Sequence, residues 1–261
     1  MTFKVSLIIP DMHIPNHSNI ACDVMFSIVK DLPRLDEIVM LGDIADFYGV
    51  SLHDMLPECM SLKQRMKDEI YQVNKFFDYL ETFKVPIKWL AGNHLKRLQK
   101  YIVKKAPKLF DFITIEDLFL LESRSLFQYH PFTRNQLVKV LDTTLYARHQ
   151  PYSQGVNCAM STIQKKQISL IFGHTHRLQS VTKKRGDQTF ISAYSCGCLI
   201  DFESPVFAYA DTDDWQHCFA VVYQYSENPE DYLVQLIEIK NGTAIYNNNL
   251  YRGENICPWG C

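Results

Sequence analysis

The sequence predicts an α/β fold in which two β-sheets pack as a sandwich flanked by helices, within a single domain spanning residues 1–261. Three observations predict it. Five short apolar runs of strand length each lead into Asp, Asn or His side chains; amphipathic helical periods fill the intervals between the first three; and beyond Leu178 the pattern is of strands alone. The motif-bearing core is expected over about residues 3–178, with strands between 188 and 246 completing the sandwich.

Residues 3–9 read as a central strand that runs into Pro10-Asp11-Met12-His13, which sets Asp11 and His13 at its carboxyl end. Residues 18–31 carry Ile20, Val24, Ile28 and Val29 at helical spacing, a stripe suited to covering a sheet. The second strand, 37–41, ends in Gly42-Asp43-Ile44-Ala45-Asp46. Residues 47–57 read as a loop beside this end, and 59–82 form the longest helical period, with Met66, Ile70, Val73, Phe76, Phe77 and Leu80 on one side. After Pro86 a third strand, Ile87–Leu90, opens into Ala91-Gly92-Asn93-His94. The helix expected next sets Leu95, Leu98, Ile102 and Val103 against a basic face. Residues 106–141 show no dominant period. Residues 143–148 deliver His149, and 167–171 break through Phe172-Gly173 into His174-Thr175-His176, where the glycine is expected to permit a sharp turn. The remaining strands are 188–194, 216–225, Tyr232–Ile239 and Thr243–Tyr246, the last after an Asn241-Gly242 turn.

Composition narrows the class. A hydrophobic share of 47% supports a substantial core, and a net charge of −2 from 27 basic and 29 acidic residues excludes an overall basic field that would hold nucleic acid by counter-ion release. A local basic patch stays compatible with that balance. No apolar run approaches the ~20 residues of a membrane span, and Met1-Thr2-Phe3-Lys4-Val5 begins a strand, so the expectation is a cytoplasmic protein with no membrane partner. Cys22, Cys59, Cys158 and Cys218 are scattered and read as buried free thiols. Cys196, Cys198, Cys257 and Cys261 match no standard zinc-knuckle spacing.

The strand ends together deliver Asp11, His13, Asp43, Asp46, Asn93, His94, His149, His174 and His176. A lone His-x-His can be a hydrogen-bonded core feature, but five such stretches in chain order are more than core packing requires. Mixed carboxylate, imidazole and amide donors suit manganese, iron, zinc or nickel better than calcium or magnesium. In this order the stretches resemble the calcineurin-like metallophosphoesterases, whose pattern reads Asp-x-His, Gly-Asp-x-x-Asp, Gly-Asn-His-Asp/Glu, His and Gly-His-x-His; the resemblance spans residues 5 to about 177.

That resemblance implies a phosphoric ester hydrolase with two divalent transition-metal ions, manganese foremost, in which a metal-bridging hydroxide attacks a phosphomonoester or phosphodiester. Asp43 is implied to bridge, with Asp11, His13 and His176 on one ion and Asn93, His149 and His174 on the other. His94 is implied to stand beside the metals and serve the leaving group, oriented by Asp46. Leu95 departs from the pattern, since Asp or Glu normally follows that histidine. Arg97, Arg177 and His17 are candidates for contact with substrate phosphate, Asn16 beside them, whereas Trp215 and Tyr152 could stack on a base but serve more ordinarily in packing. The chain looks like the small phosphoesterases of bacterial and phage genomes, acting in the host cytoplasm if phage-encoded, with a phosphate ester, nucleotide or nucleic acid as partner. Two other readings stand beside this one: a nuclease of the repair-exonuclease type, and a non-catalytic binding scaffold of the same fold, in which the ligands would be eroded.

Overall fold

In the computed structural model, which describes residues 3–50, 66–208, 210 and 212–260, the first apolar run becomes β1 (Lys4–Ile9), near the middle of a six-stranded sheet. The chain continues through α1 (Asn19–Lys30), β2 (Glu37–Met40), α2 (Met66–Glu81), β3 (Ile87–Leu90), α3 (Leu95–Lys105), α4 (Ile115–Leu118), β4 (Phe127–His130), β5 (Val138–Lys139) and β6 (Tyr146–Arg148). It ends with α5 (Cys158–Lys166), β7 (Leu170–Phe172), β8 (Leu178–Lys184), β9 (Phe190–Cys196), β10 (His217–Gln224), β11 (Tyr232–Ile239) and the hairpin β12 (Thr243–Tyr246) and β13 (Asn249–Arg252). The first sheet runs in the order β11-β10-β1-β2-β3-β4, parallel from β1 to β4 and antiparallel at β10 and β11. The second runs β5-β6-β7-β9-β8, with β6, β7 and β9 parallel and an antiparallel strand at each edge.

Strand alternation builds the layers. Leu7 and Ile9 of β1 face Phe26 of α1 and Phe76 of α2, whereas Ile8 between them joins Val39, Leu90, Ala147 and Ile171 in the core between the sheets. On the far side Leu170, Phe172 and Ala193 pack against Cys158, Ala159 and Ile163 of α5. The result is the expected sandwich with helices on both outer faces. One buried carboxylate ties the layers: Glu37 accepts from Ser6 Oγ at 3.1 Å and from the Leu141 amide at 2.9 Å, and pairs with Lys88.

Several elements differ from the sequence reading. Residues 106–141 hold α4, β4 and β5, which show no apolar period because β4 is only half-buried and β5 is two residues long. The polar edge strand β8 and the exposed β13 lack a buried face to mark them. α1 buries Ala21, Cys22, Met25 and Phe26 in addition to Val24, Ile28 and Val29, leaving Ile20 exposed, and Val103 of α3 faces solvent. The long helix is described from Met66; residues 51–65, which include much of the 47–57 loop, lie outside the described residues. Cys22, Cys158, Cys196, Cys198 and Cys218 are buried free thiols, while Cys257 is disulfide-bonded and so offers no thiolate to a metal. Among the described residues no helix is long and apolar enough to cross a membrane.

Candidate metal centre

The segments following β1, β2, β3, β6 and β7 meet at one edge of the sandwich, three from the first sheet and two from the second. There the structure gathers three overlapping donor groups, Asp11/His13/His176, Asp43/His149/His174 and His13/Asp43/His94, within each of which the donor atoms lie within 4.8 Å of one another. Asp43 and His13 each belong to two groups. The His149 and His174 ring centroids are 5.1 Å apart, and Asn93 Oδ1 stands 2.8 Å from His149 Nε2. All seven residues expected to hold metal are thus brought together.

The backbone is bent to make this convergence. His13, Asp43, His174 and His176 have φ of 53°, 43°, 69° and 57°, a left-handed conformation that non-glycine residues take at a cost of about 1 kcal/mol or more each. Neighbouring groups hold it: the His13 amide donates to Asp43 O at 2.9 Å, the His94 amide to Asp43 Oδ1 at 2.9 Å, and the His174 amide to Asp11 Oδ2 at 2.9 Å. The glycines serve differently from the turn expected of Gly173. A Cβ at Gly173 would collide with the Asp11 carboxylate, and one at Gly92 with that of Asp43, so both positions are glycine because a carboxylate approaches the backbone.

The donor set carries its own test of fit to a cation. His149 Nδ1–H donates to Leu41 O at 3.0 Å, which turns Nε2 toward Asn93 Oδ1 at 2.8 Å and Asp43 Oδ2 at 3.1 Å. A neutral ring would set its lone pair against two oxygen lone pairs; only a proton or a cation relieves that. In the metal-free protein it is a proton. Burial alone would lower the His149 pKa, but Asp43 and Asp11 outweigh it and raise the pKa to about 9. His13 faces Asp46 Oδ1 with Nδ1 at 3.1 Å, and its buried Nε2 has no hydrogen-bond partner. Burial and then His94 lower the His13 pKa to about 4; burial and then His149 bring His174 to about 4. Burial pushes the Asp11 and Asp43 carboxyls upward, yet the surrounding imidazoles, His149 first, hold both below the usual range. Unpaired imidazole nitrogens facing ionised carboxylates fit divalent transition-metal ions.

Asp46 is a hub beside this set. Its Oδ1 accepts from His94 Nδ1 at 2.7 Å, His13 Nδ1 at 3.1 Å and Arg97 Nη1 at 3.1 Å, and its Oδ2 from Asn16 Nδ2 at 3.1 Å. Burial opposes its ionisation, but the hydrogen bonds from His13 and His94 keep the carboxyl well below the usual range. Leu95, in the place of the missing acid, is buried in the helix-side core. Arg97 reaches back instead, with Nη2 2.8 Å from His94 Nε2. Arg177 lines the same cleft as Arg97 and pairs with Asp214 at 3.2 Å. His17 does not line it: it is buried against Trp259, ring centroids 4.8 Å apart, and faces a separate pocket with Asn16 and Glu69. That placement removes it from the phosphate contacts expected in the metal cleft. Trp215 meets His176 edge-on at 4.3 Å. Gln136, unseen in the sequence reading, donates to Ala91 O and His130 O at 3.1 Å and accepts from the His149 amide at 3.1 Å. Nothing in the aperiodic stretch around it signalled that role.

No family model matches the chain, and no curated protein matches it. Solved structures similar in shape include a metallophosphoesterase from Sphaerobacter thermophilus, with TM-score 0.45, 14% identity and coverage of 91% of this chain and 88% of that one. Another is GAP50, the anchor in the inner membrane complex of Plasmodium, with TM-score 0.45, 12% identity and coverage of 97% and 90%. Likenesses this distant carry no residue roles across, so the functional reading rests on the metal centre itself.

Proposed function

We propose that this chain is a divalent-metal-dependent phosphoric ester hydrolase, a single domain that cleaves a phosphomonoester or phosphodiester. The observation that carries the reading is that Asp43 is shared between two donor groups whose other members are imidazoles. In this assignment Asp11, His13 and His176 hold one ion, Asn93, His149 and His174 the other, and Asp43 both. Manganese is the first choice, with iron, zinc and nickel as alternatives for the same donors. When bound, such a pair of cations neutralises phosphoryl oxygens and acidifies water for attack at neutral pH.

The chain's own side chains then position groups and move a proton. His94 Nδ1 is fixed on Asp46, which leaves Nε2, 3.7 Å from Asp43 Oδ2, as the atom that protonates the leaving oxygen. Arg97 donates to that same nitrogen, so His94 cannot carry an acidic proton there until the guanidinium leaves. A phosphoryl oxygen is the stronger partner for a guanidinium than a neutral imidazole. We therefore assign Arg97 a move from His94 to the substrate that frees Nε2, with Arg177 as a second cation in the cleft.

Metal analysis with an activity screen tests the reading. The purified protein should carry two transition-metal ions per chain, and chelation should abolish hydrolysis of aryl phosphomonoesters or diesters until manganese restores it. A folded protein that binds no stoichiometric metal and hydrolyses neither substrate would instead be the binding scaffold.

A further inference from the structure

A second cleft of about 700 Å³ opens beside the metal centre, between the turn after β4, the loop after β6 and the end of α5. Five cations line it, Lys96, Arg134, Arg148, Lys165 and Lys166, and no carboxylate is among its described lining residues. In a chain of net charge −2 this is a local concentration of one sign. The cleft is continuous with the metal centre, because Gln154 lines both. Lys96 also follows His94 by two residues and Arg148 directly precedes His149.

Arg148 shows that the cleft is built for an anion. Its side chain is buried, 5% exposed, yet Nε and Nη1 have no hydrogen-bond partner, and Nη2 makes only a long contact of 3.4 Å to Arg134 O. A buried guanidinium with open donors is unfavourable unless a ligand completes it. Its plane lies over the Tyr152 ring at 3.8 Å, and Lys166 approaches the same ring at 4.8 Å. At the other end Lys96 stands over Phe132 at 4.5 Å. Cations therefore alternate with two half-buried aromatic faces along a groove that ends at the donor atoms.

We propose that this cleft binds single-stranded nucleic acid, holding the nucleotides that flank the phosphodiester presented to the metal centre. Phosphates track the cations, and unpaired bases stack on Tyr152 and Phe132, which gives affinity without strong sequence preference. A duplex keeps its bases stacked inside and gains nothing from the rings. A mononucleotide uses one ring and leaves most of the cations unpaired.

The inference rests on the hydrolase reading for its catalytic sense, but binding is measured without metal, so the two can fail separately. Fluorescence anisotropy of a labelled short oligothymidylate is followed in EDTA across a salt titration, with the matching duplex and inorganic pyrophosphate as competitors. The expected result is single-strand binding that weakens with salt and resists both competitors. The Lys165→Gln/Lys166→Gln double variant should weaken it about tenfold and reduce the salt slope by about 1.4, at about 0.7 per single-strand phosphate contact. Tyr152→Ala should weaken it with the salt slope unchanged, because stacking releases no counter-ions. Lys183→Gln/Lys184→Gln, on the exposed strand β8, should bind as the parent does. No binding at low salt, equal loss in the β8 control, or displacement by pyrophosphate or duplex as effective as by the single strand overturns the proposal. Absent oligonucleotide binding with aryl ester hydrolysis intact sinks this inference alone; intact binding in a protein that takes up no metal sinks the hydrolase reading alone.

Discussion

The two sheets contribute unlike halves to the centre. Loops of the first sheet supply every carboxylate, Asp11, Asp43 and Asp46, and hold them in a side-chain network in which Asp46 bonds His13, His94, Arg97 and Asn16. The second sheet supplies imidazoles only, each set by one or two bonds: His149 by Leu41 O and Gln136, and His176 by Asp11. Negative charge therefore lies on one side of the seam and neutral donors on the other. A bound cation would join them, which makes metal binding also a contact between sheets. Losing a carboxylate should accordingly do more damage than losing any group that orients an imidazole.

Asp43→Asn is the severest break, because it removes the one negative charge shared by two donor groups. Metal content should fall from two ions per chain toward none, and hydrolysis by ~10⁴-fold or more. Asp11→Asn should keep the ion at His149 and His174. If metal analysis finds the same single ion lost from both variants, Asp43 does not bridge. His94→Ala comes next. It should keep both ions while turnover of an alkyl or ribose ester falls ~10²–10⁴-fold, as for a positioned acid, with a smaller loss for an activated aryl ester that departs without a proton. Equal loss for both esters would make His94 an electrostatic stabiliser instead of an acid.

The ease with which the donors could be read from sequence follows from the same division. Each sits where a fully buried strand stops, and burial on both faces leaves an unbroken apolar run such as residues 5–9 or 87–90 that announces the residue after it. What supports the donors was harder to see. Gln136 acts from a stretch without period, Arg97 looks like one more cation on a basic helix face, and the cleft cations come from the turn after β4, the loop after β6 and both helices that flank them. Half-buried and edge elements such as β4, β5 and β8 carry no regular alternation, so the parts of the site built on them had no signal to follow. Gly173 was singled out for the wrong physical reason, since only the folded chain shows the Asp11 carboxylate lying against it.

Protons probe the seam more gently. His149 has its pKa raised to about 9 in the metal-free protein, above the 6.5 of a free imidazole. The stability it contributes is therefore complete below about pH 6.5 and is lost as pH rises through about 9. The melting temperature of the chelated protein should decline across that window, and manganese should flatten the decline by taking the place of the proton. Manganese uptake near neutral pH should release about one proton from His149, since His13 and His174, at about 4, are already unprotonated there. Calorimetry in two buffers of different ionisation heat reads that number; release of none would mean that His149 does not bind metal.

The smallest effect expected is that of Gln136→Ala, which tests whether the second sheet's lighter support matters at all. The variant frees the buried amide of His149 and the carbonyls of Ala91 and His130 that Gln136 now satisfies. An unsatisfied buried group costs about 1–3 kcal/mol, so the melting temperature should drop while the fold persists through the inter-sheet core. Because only the His149 backbone is released and its Nδ1 bond to Leu41 remains, manganese affinity should weaken by about tenfold, the low end for a group that orients a ligand, and at one ion only. Asp46→Ala should do more, since it unfastens His13 and His94 together and leaves Arg97 without its carboxylate. A two-site manganese titration of both variants separates them. Should Gln136→Ala weaken both ions as strongly as Asp46→Ala does, the division between a braced carboxylate side and a lightly held imidazole side would collapse into a single cooperative network.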